Sequence, residues 1–575
     1  MDRRDRTVAG GLALALAVIV AAIGAPALVP SIGAGGQASP STSVAAADVY
    51  REGMLGRPTS VNPLTAQTEA DRALVGLVFA GLLRLGPGDS LRADLAEWWR
   101  AEDEGAAWVV RIADDARWHD GEPVTSADVA FTIEALADPT LGAPHGPSWA
   151  NVTVEVVDER TVRFVLPTPL GGFPWLLTQP LAPAHLLATV PLETLEVDPF
   201  GQAPIGAGLF RMLGWNASSA TLEAVRPDSL SGPSDGSAID GASAIDGATA
   251  RPSRPVARLG SLEIVFYPDE STLSADLERG DIDGAVGVPD PATGTTGAAD
   301  GLRLLAYPGT TLSTIVLDLR PDHNELRDAR VRTALMAAID RDGIIASVVG
   351  GRAGRADAPI PPSSSMFDPE ASVTVEYDPT AAVKLLSDAG WKRLDSKAWV
   401  APDSTKAYAM TILAPPADAA PHLAATAAAV ARDWTTLGLK TVVEEVAFPE
   451  LVERLHGGDY TAAVVDVVIG HDPDLYPMLA STQVVSGGLN VSGIQDKKLD
   501  DLLEAARQAI GDDARKAAYS DLQVYLALRR YLPTLYFRDL PFAVSDRLEG
   551  PSVHQVAQAG DRYWDVLTWR LASGR

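Results

Sequence analysis

The stretch ARWHDGEPVTSADVAFTIEAL, residues 116–136, restricts local structure more tightly than any other part of the chain. Just upstream, Trp108-Val109-Val110-Arg111-Ile112 is an apolar run with one charged position, the pattern of a short strand. His119-Asp120-Gly121-Glu122-Pro123 is turn chemistry, because glycine permits positive φ and proline presets its own. Thr125 then stands as a helix N-cap with Asp128 at capping-box spacing, which also sets a carboxylate near the positive end of the helix. Val129, Ile133 and Leu136 follow at i, i+4, i+7 and make one apolar face. Strand, tight turn and capped helix are required here. Nothing in the stretch requires chemistry.

Strand and helix patterns alternate from there to the C-terminus, which argues an α/β fold. Helical spacing covers residues 326–340, 379–389, 423–437 and 498–510, with an Ala/Leu-rich stretch at 515–528. Residues 161–166, 262–266, 314–319, 440–446 and 461–468 read as strands. At 575 residues the chain exceeds what one ordinary core supports, so two or three lobes are expected. Two Gly/Ala/Ser-rich breaks, 231–255 (where SAIDGA occurs twice) and 291–301, read as surface loops without core-forming capacity.

Arg3, Arg4 and Arg6 precede a segment with no charge from Thr7 to Ala47. Residues 8–29 within it are almost wholly apolar, about the length a bilayer core needs. Two readings stand. A cleaved secretion signal would use Ala25-Pro26-Ala27 or Ala45-Ala46-Ala47 as its small-x-small site. An uncleaved anchor fits the same length, with the basic residues on the cytoplasmic side. Both put the body outside the cytoplasm, behind a flexible tether at 30–47. No second comparable apolar run exists, which excludes a multi-span permease.

There are no cysteines, so disulfides, thiolate nucleophiles, Cys-ligated zinc and a lipid-modified cysteine are all excluded. A formal net charge of −28, from 75 acidic and 47 basic side chains, repels nucleic acid, and no Lys/Arg run supplies a basic patch. G-x-S-x-G, H-E-x-x-H and Walker loops are absent. The eight histidines are never spaced i, i+4, and GDIDGAV falls short of a calcium loop and reads as a turn. The chain is therefore expected to be no enzyme and to hold no cofactor or metal. A carboxylate-dependent hydrolase is the enzymatic alternative, because so many acids leave many possible pairs.

Several motifs in fixed order carry more weight than any one alone. Asn62-Pro63-Leu64 lies near the start, and ADLAEWWRAEDEGAAWVVRI leads into RWHDGEPVTSADVAFTIEAL. VVDERTVRFVLPTP, PLAPAHLL, PIGAGLFRM, ERGDIDGAV, LRDARVRTALMAAIDRDGI, YDPTAAVKLLSDAGW and RYLPTLYF follow. This series resembles the solute-binding proteins of the peptide/nickel class of ABC importers, bacterial solute-binding protein family 5, from about residue 48 to the end. The resemblance implies an α/β, two-lobed, periplasmic-binding-protein-like clamshell of the class II type. Lobe I would take residues 48–310, with an inserted subdomain near 84–195 and the loop at 231–255. Lobe II would take 311–534, and 535–575 would return to lobe I. Crossings between lobes are expected near 310–319 and 532–537. The implied function is that of a monomeric extracytoplasmic receptor, which captures a peptide or similar polar solute by hinge closure and delivers it to a membrane permease. A membrane-anchored sensor or assembly factor on the same fold is the alternative.

The resemblance also implies where a solute would be held. In peptide-binding members, the strand before a D-P pair carries an aromatic residue, and an acidic residue soon after it meets the peptide's amino group. The corresponding stretch here is TAAVVDVVIGHDPDLYPML, with Asp472-Pro473 as the D-P pair. Asp466 then falls near the aromatic position and Ile469 near the acidic one, so the amine anchor is missing or displaced. Asp466, His471 and Asp474 are candidates for facing the cleft, although Asp472 and Asp474 also suit a solvated turn. Some relatives carry nickel complexes, which makes His471 the side chain to consider for a chelated metal. Asn62, Thr65, Thr310, Thr311 and Asn490 are candidates by family position. Within the family segment His119 and Asp120 are expected to be turn residues.

Overall fold

Strand Ala107–Ile112 and helix Ser126–Ala137 flank the turn at 116–124 as their residues demand, and Thr125 and Asp128 form the reciprocal capping box. The turn is then docked. The His119 N–H donates to Gly206 O at 2.8 Å, and its Nε2 lies 3.1 Å from Gly208 O. A Cβ at Gly206 would come within 1.9 Å of Val78 O, so only glycine lets this strap lie against the end of helix Glu69–Val78. His185 Nε2 meets Asp120 Oδ2 at 2.9 Å. The RWHDGEP and PIGAG segments are thus two sides of one joint, and His119 and Asp120 are scaffold.

The computed structural model describes residues 49–143, 146–226, 256–287, 301–395, 397–485 and 487–572. The apolar stretch at 8–29, the tether at 30–47 and nearly all of the two Gly/Ala/Ser-rich breaks lie outside them. Among the described residues, no helix is long and apolar enough to cross a membrane.

Three main sheets organise the chain. A seven-stranded mixed sheet runs Leu302–Tyr307, Leu540–Ser545, Gly284–Val286, Val49–Leu55, Ser261–Tyr267, Ser219–Ala224, Phe210–Trp215. An antiparallel four-stranded sheet, Ala96–Glu102, Ala107–Ile112, Thr161–Val165, Thr153–Asp158, is inserted between its first two strands in sequence. These two sheets share one core, which includes Tyr50, Leu74, Trp118, Phe164 and Trp569. A six-stranded sheet runs Ala353–Arg355, Thr534–Arg538, Thr311–Leu317, Ala462–Val468, Ala409–Ala414, Lys440–Glu445. It has its own core, with Leu312, Ile412, Trp434, Val464 and Tyr536. Helix Pro421–Leu437 packs along this sheet with nine buried residues, including Leu423, Val430, Trp434 and Leu437. The molecule therefore has two lobes.

The chain passes between lobes twice. The first passage is residues 308–310, between Leu302–Tyr307 in one sheet and Thr311–Leu317 in the other. The second is Asp539, between Thr534–Arg538 and Leu540–Ser545. This differs from the expected return at 535 and the expected crossing at 532–537, because Tyr536 and Phe537 pair with both Ser313/Leu312 and Arg355/Gly354 of the second lobe. The passages touch: a Cβ at Gly309 would lie 2.1 Å from Arg538 O. Burial pushes the Asp539 carboxyl up to about 6.

Two ion networks fix the first lobe. Glu52 on the first strand and Arg562 near the C-terminus are fully buried together, and Tyr50 and Tyr563 both donate hydroxyls to Glu52 at 2.8 Å. Within GDIDGAV, Gly280 (φ +75°) ends helix Glu270–Arg279, while Asp283 accepts from Arg51 N at 3.0 Å and meets Arg547 at 3.2 Å. The motif is a turn.

Two consequences are testable. Arg562→Ala strands Glu52 without a partner and is expected to cost about 3–5 kcal/mol in urea unfolding. The Glu52→Gln/Arg562→Met double variant should recover most of this, and an equal loss in both would show that the charge pairing is not what matters. Gly309→Ala forces the two passages apart and should lower Tm, whereas Gly354→Ala, where a Cβ meets nothing within 4 Å, should not.

Candidate functional site

The loop after the first strand carries two of the expected residues, and one carboxylate shapes it. Asp71, in the first turn of helix Glu69–Val78, accepts from Thr59 N and Oγ1, Ser60 N, Gln67 N and Thr68 N, at 2.7–3.2 Å. The loop is wound around this side chain. Asn62 is fully buried and its Oδ1 accepts from Leu64 N, while its Nδ2 has no partner. Ser60 Oγ and Thr65 Oγ1 are likewise buried and unpartnered. Thr65 lines a recess of about 130 Å³ together with Thr140, Glu193 and Glu196, all on the first lobe.

Thr310 and Thr311 sit at the first passage. The Thr310 N–H donates to Val556 O of the first lobe, and its carbonyl accepts from Ile469 N of the second, both at 3.0 Å. Its Oγ1 is buried without a partner. Thr311 pairs with Val468 at the end of the sheet.

Three expectations change on the second lobe. Asp466 lies opposite Ser313 and accepts its hydroxyl at 2.5 Å, with His422 Nε2 at 2.9 Å and Arg538 Nη2 at 3.0 Å. Burial would raise its carboxyl, but the His422 hydrogen bond and the charges of Arg538 and His422 hold it below the usual carboxylate range. Its charge is committed within the lobe, so it is no free anchor for a cation. Asn490 is 1% exposed, and its amide donates to Leu479 O, Ala480 O and Ile494 O while its Oδ1 accepts from Ile494 N. That side chain is saturated and builds the loop after Gly487-Gly488. Asp474 meets Arg507 Nε at 3.2 Å, and Asp472 pairs with Arg515, so this is a paired turn and not a solvated one. Burial raises the Asp472 carboxyl despite Arg515.

His471 is different, because its partners belong to the other lobe. It follows strand Ala462–Val468 through Gly470, whose φ of +81° suits glycine. Its Nδ1 lies 3.2 Å from Asp89 Oδ1 and its Nε2 lies 3.0 Å from Asp561 Oδ2. The ring stacks on Trp175 at 5.5 Å and 6°, and on His554 at 6.0 Å and 13°. Asp89 tips the hairpin Leu83–Gly86/Ser90–Ala93, Trp175 sits in the turn Phe173–Leu176, and His554 and Asp561 come from the C-terminal return. Burial opposes a charge on this imidazole, but hydrogen bonds to Asp561 and Asp89, with their negative charges, push its pKa up to about 9. His554 is shifted the other way, by burial and by the His471 charge beside it.

Other contacts close the same seam. Ser363 Oγ donates to Gln555 Oε1 at 2.6 Å, Ser365 N to Asp89 Oδ2 at 3.3 Å and Gly171 N to Arg507 O at 2.8 Å. A Cβ at Gly172 would lie 1.6 Å from Asp472 Oδ2, so the lobes meet backbone to side chain there. The structure thus brings His471 to the seam and Thr310 and Thr311 to the passage. It leaves Asn62 and Thr65 on the first lobe and Asp466 and Asn490 inside the second. Sequence reasoning missed Asp89, Trp175, His554 and Asp561, and no spacing rule could have joined residues from opposite ends of the chain. Among the described residues, no group of three or more side chains is arranged to hold a metal ion.

Comparison with known proteins agrees with this architecture. Oligopeptide-binding protein AppA of Bacillus subtilis is 24% identical over 527 residues, covering 90% of this chain and 91% of its own. Its structure, solved with a nonapeptide, superposes with a TM-score of 0.65 at 23% identity over 91% of this chain and 99% of AppA. NikZ from Campylobacter jejuni, solved with Ni(L-His), gives 0.67 at 23% identity over 91% of this chain and 99% of NikZ. HbpA2 from Haemophilus parasuis gives 0.74 at 20% over 91% and 100%. At such identities these structures speak for the fold, a two-lobed periplasmic-binding-protein clamshell. The profile of the bacterial extracellular solute-binding proteins, family 5, matches residues 90–486, well over half of the sequence. The chain belongs to that family, whose members bind solutes for transport and are not enzymes.

Proposed function

We propose that the chain is the extracytoplasmic receptor of an ABC importer, a monomer that captures a peptide or similar polar solute between its lobes and presents the closed form to a membrane permease. The observation that carries this reading is the double passage, in which the described chain runs between two separate cores only through residues 308–310 and Asp539. Links this short absorb a rotation while each lobe stays rigid. A solute that touches both lobes then favours closure by the difference in its affinity for closed and open forms. The assigned lobes are 49–307 with 540–572, and 311–538. Residues 8–29 would either be removed on export or hold the receptor at the membrane.

A peptide is the favoured solute class, because AppA, the relative aligned over 527 residues, is an oligopeptide-binding protein. Thr310, at the passage, offers an uncharged hydroxyl of the kind that orients a polar ligand. Asp466, expected to face the cleft, has its charge engaged within the second lobe by His422 and Arg538.

Protein stripped of small molecules by unfolding and refolding, then mixed with a tryptic digest of casein, is expected to gain Tm and, at pH 10 where His471 no longer holds the unliganded lobes together, to compact in small-angle scattering. Ligand at about 100 times its Kd adds about 2.7 kcal/mol. Unchanged Tm and envelope with the digest would remove the peptide reading.

Alkaline pH should loosen the closed form. The groups facing His471 are Asp89, Asp561 and His554, all from the first lobe. Its pKa of about 9 lies above the ordinary value of about 6.5, so its contribution is full below about 6.5 and is lost as pH rises through about 9. Scattering at pH 7 and pH 10 should show expansion of the wild type but not of His471→Gln. Equal expansion of both would assign the effect to other groups.

A further inference from the structure

Asp89, Trp175, His554, Gln555 and Asp561 form a cup on the first lobe that is built without help from the second lobe's histidine. The Asp561 carboxylate is fixed by the N–H groups of Ala557 and Gln558, at 2.8 and 3.0 Å, as the capping residue of its own turn. Asp89 is 4% exposed and accepts from Gln555 Nε2 at 3.4 Å. Trp175 and His554 each lie nearly parallel to the ring that occupies the cup, at 6° and 13°. Behind His554 stands Trp564, its centroid 5.0 Å away. His554 is 7% exposed, and among the described residues its Nε2 has no hydrogen-bond partner.

The group that fills the cup, His471, is tethered to the other lobe, two residues beyond Ile469, whose N–H donates to Thr310 O at the first passage. Apart from that ring, the cup offers two carboxylates, Asp89 and Asp561, in a protein already strongly acidic. Carboxylate pairs beside aromatic walls select flat, delocalised cations over compact ammonium groups, because such cations stack and hydrogen-bond in one plane.

Resting on the capture reading above, we propose that this cup is the receptor's specificity pocket for a planar cation of the solute, a guanidinium or imidazolium such as an arginyl or histidyl side chain, and that His471 is its built-in competitor. In the open form the cup takes the solute's cation. In the closed form without one, His471 takes the same place with the same hydrogen bonds. The competitor sets a threshold: only a solute whose cation outbids the tethered ring, while touching the second lobe elsewhere, closes the receptor around itself.

Calorimetric titration with Ala-Arg-Ala, its isosteric neutral counterpart Ala-citrulline-Ala, and Ala-Ala-Ala tests this. The wild type should prefer the arginine peptide over the citrulline peptide by about tenfold or more, near 1.4 kcal/mol. His471→Ala, with His471→Gln as the more conservative variant, should tighten the arginine peptide alone. Asp89→Asn/Asp561→Asn should erase the preference. A second arm needs no peptide. Methylguanidinium or imidazole should raise the Tm of His471→Gly and not of the wild type, and the added Asp89→Asn change should abolish the rise.

The outcomes separate cleanly. Peptides that bind without charge preference, or a His471→Ala variant that weakens all three alike, would overturn the cup while leaving solute capture intact. Rescue by methylguanidinium, together with a failure of all three peptides to bind in the calorimetric arm, would support the cup and remove the peptide reading. Absence of both rescue and preference would overturn the proposal.

Discussion

An imidazole from one half of the molecule, hydrogen-bonded to two carboxylates from the other, ties the halves together across the seam. The hydrogen bonds at 3.0 and 3.2 Å tolerate little displacement, and both are lost together when the seam opens. The rest of the seam is arranged so that this contact can form. Gly171 and Gly172 let the first lobe's backbone approach Ala509 O and the Asp472 carboxylate to distances that any Cβ would prevent, and Gly105 does the same against Ile510. Small residues at the rim thus allow the large charged ring at the centre to reach its partners.

The choice of histidine separates this contact from the other buried charges. Glu52, Asp472 and Asp474 are each matched by arginine within one lobe, and Asp466 by Arg538 with His422. An unpaired buried charge is costly, so these pairs hold the interior of each lobe in one arrangement. An imidazole has fewer donors than a guanidinium, and its charge depends on its neighbours. Between lobes proposed to separate, such a partner would make a reversible contact. Rigid halves and a yielding seam therefore arise from the same acidic composition through different cations.

Much of the scaffold was legible because it is written in short-range rules. The Thr125/Asp128 box, the glycine-ended GDIDGAV turn, strand Ala462–Val468 and helix Pro421–Leu437 follow from capping, turn and periodicity signals within a dozen residues. Family position puts Thr310 at a crossing, and the residue lies between strand Leu302–Tyr307 of one sheet and Thr311–Leu317 of the other. Strand Thr534–Arg538 was assigned to the wrong side of the second passage, because alternation marks a strand but not the sheet it joins. Asn490 and Asp466 were misjudged for a related reason. A polar residue beside a predicted cleft looks available until its neighbours in space are known, and here Leu479, Ile494, His422 and Arg538 had already engaged them. The cup on the first lobe was invisible, since its residues come from a hairpin tip, a short turn and the C-terminal return.

The two passages explain how opening can leave both lobes intact. Thr310 gives its N–H to the first lobe and its carbonyl to the second, so one residue belongs to both hydrogen-bond systems. Its neighbour Gly309 rests on Arg538 O at the other passage, which makes the crossing strands a single contact and not two independent links. Ile469 bonds to Thr310, and Val556 bonds to Thr310 and Pro308, so His471 and His554, each two residues from one of these, meet close beside the pivot. Beside the pivot, Asp539 holds a carboxyl that burial has shifted to about 6, within reach of neutral pH. A charge there is poorly solvated in this arrangement, so any movement that admits water to the pivot is favoured by its ionisation. The seam and the pivot thus respond to protons in the same sense: rising pH removes the cation that holds the lobes together and charges the group that burial disfavours.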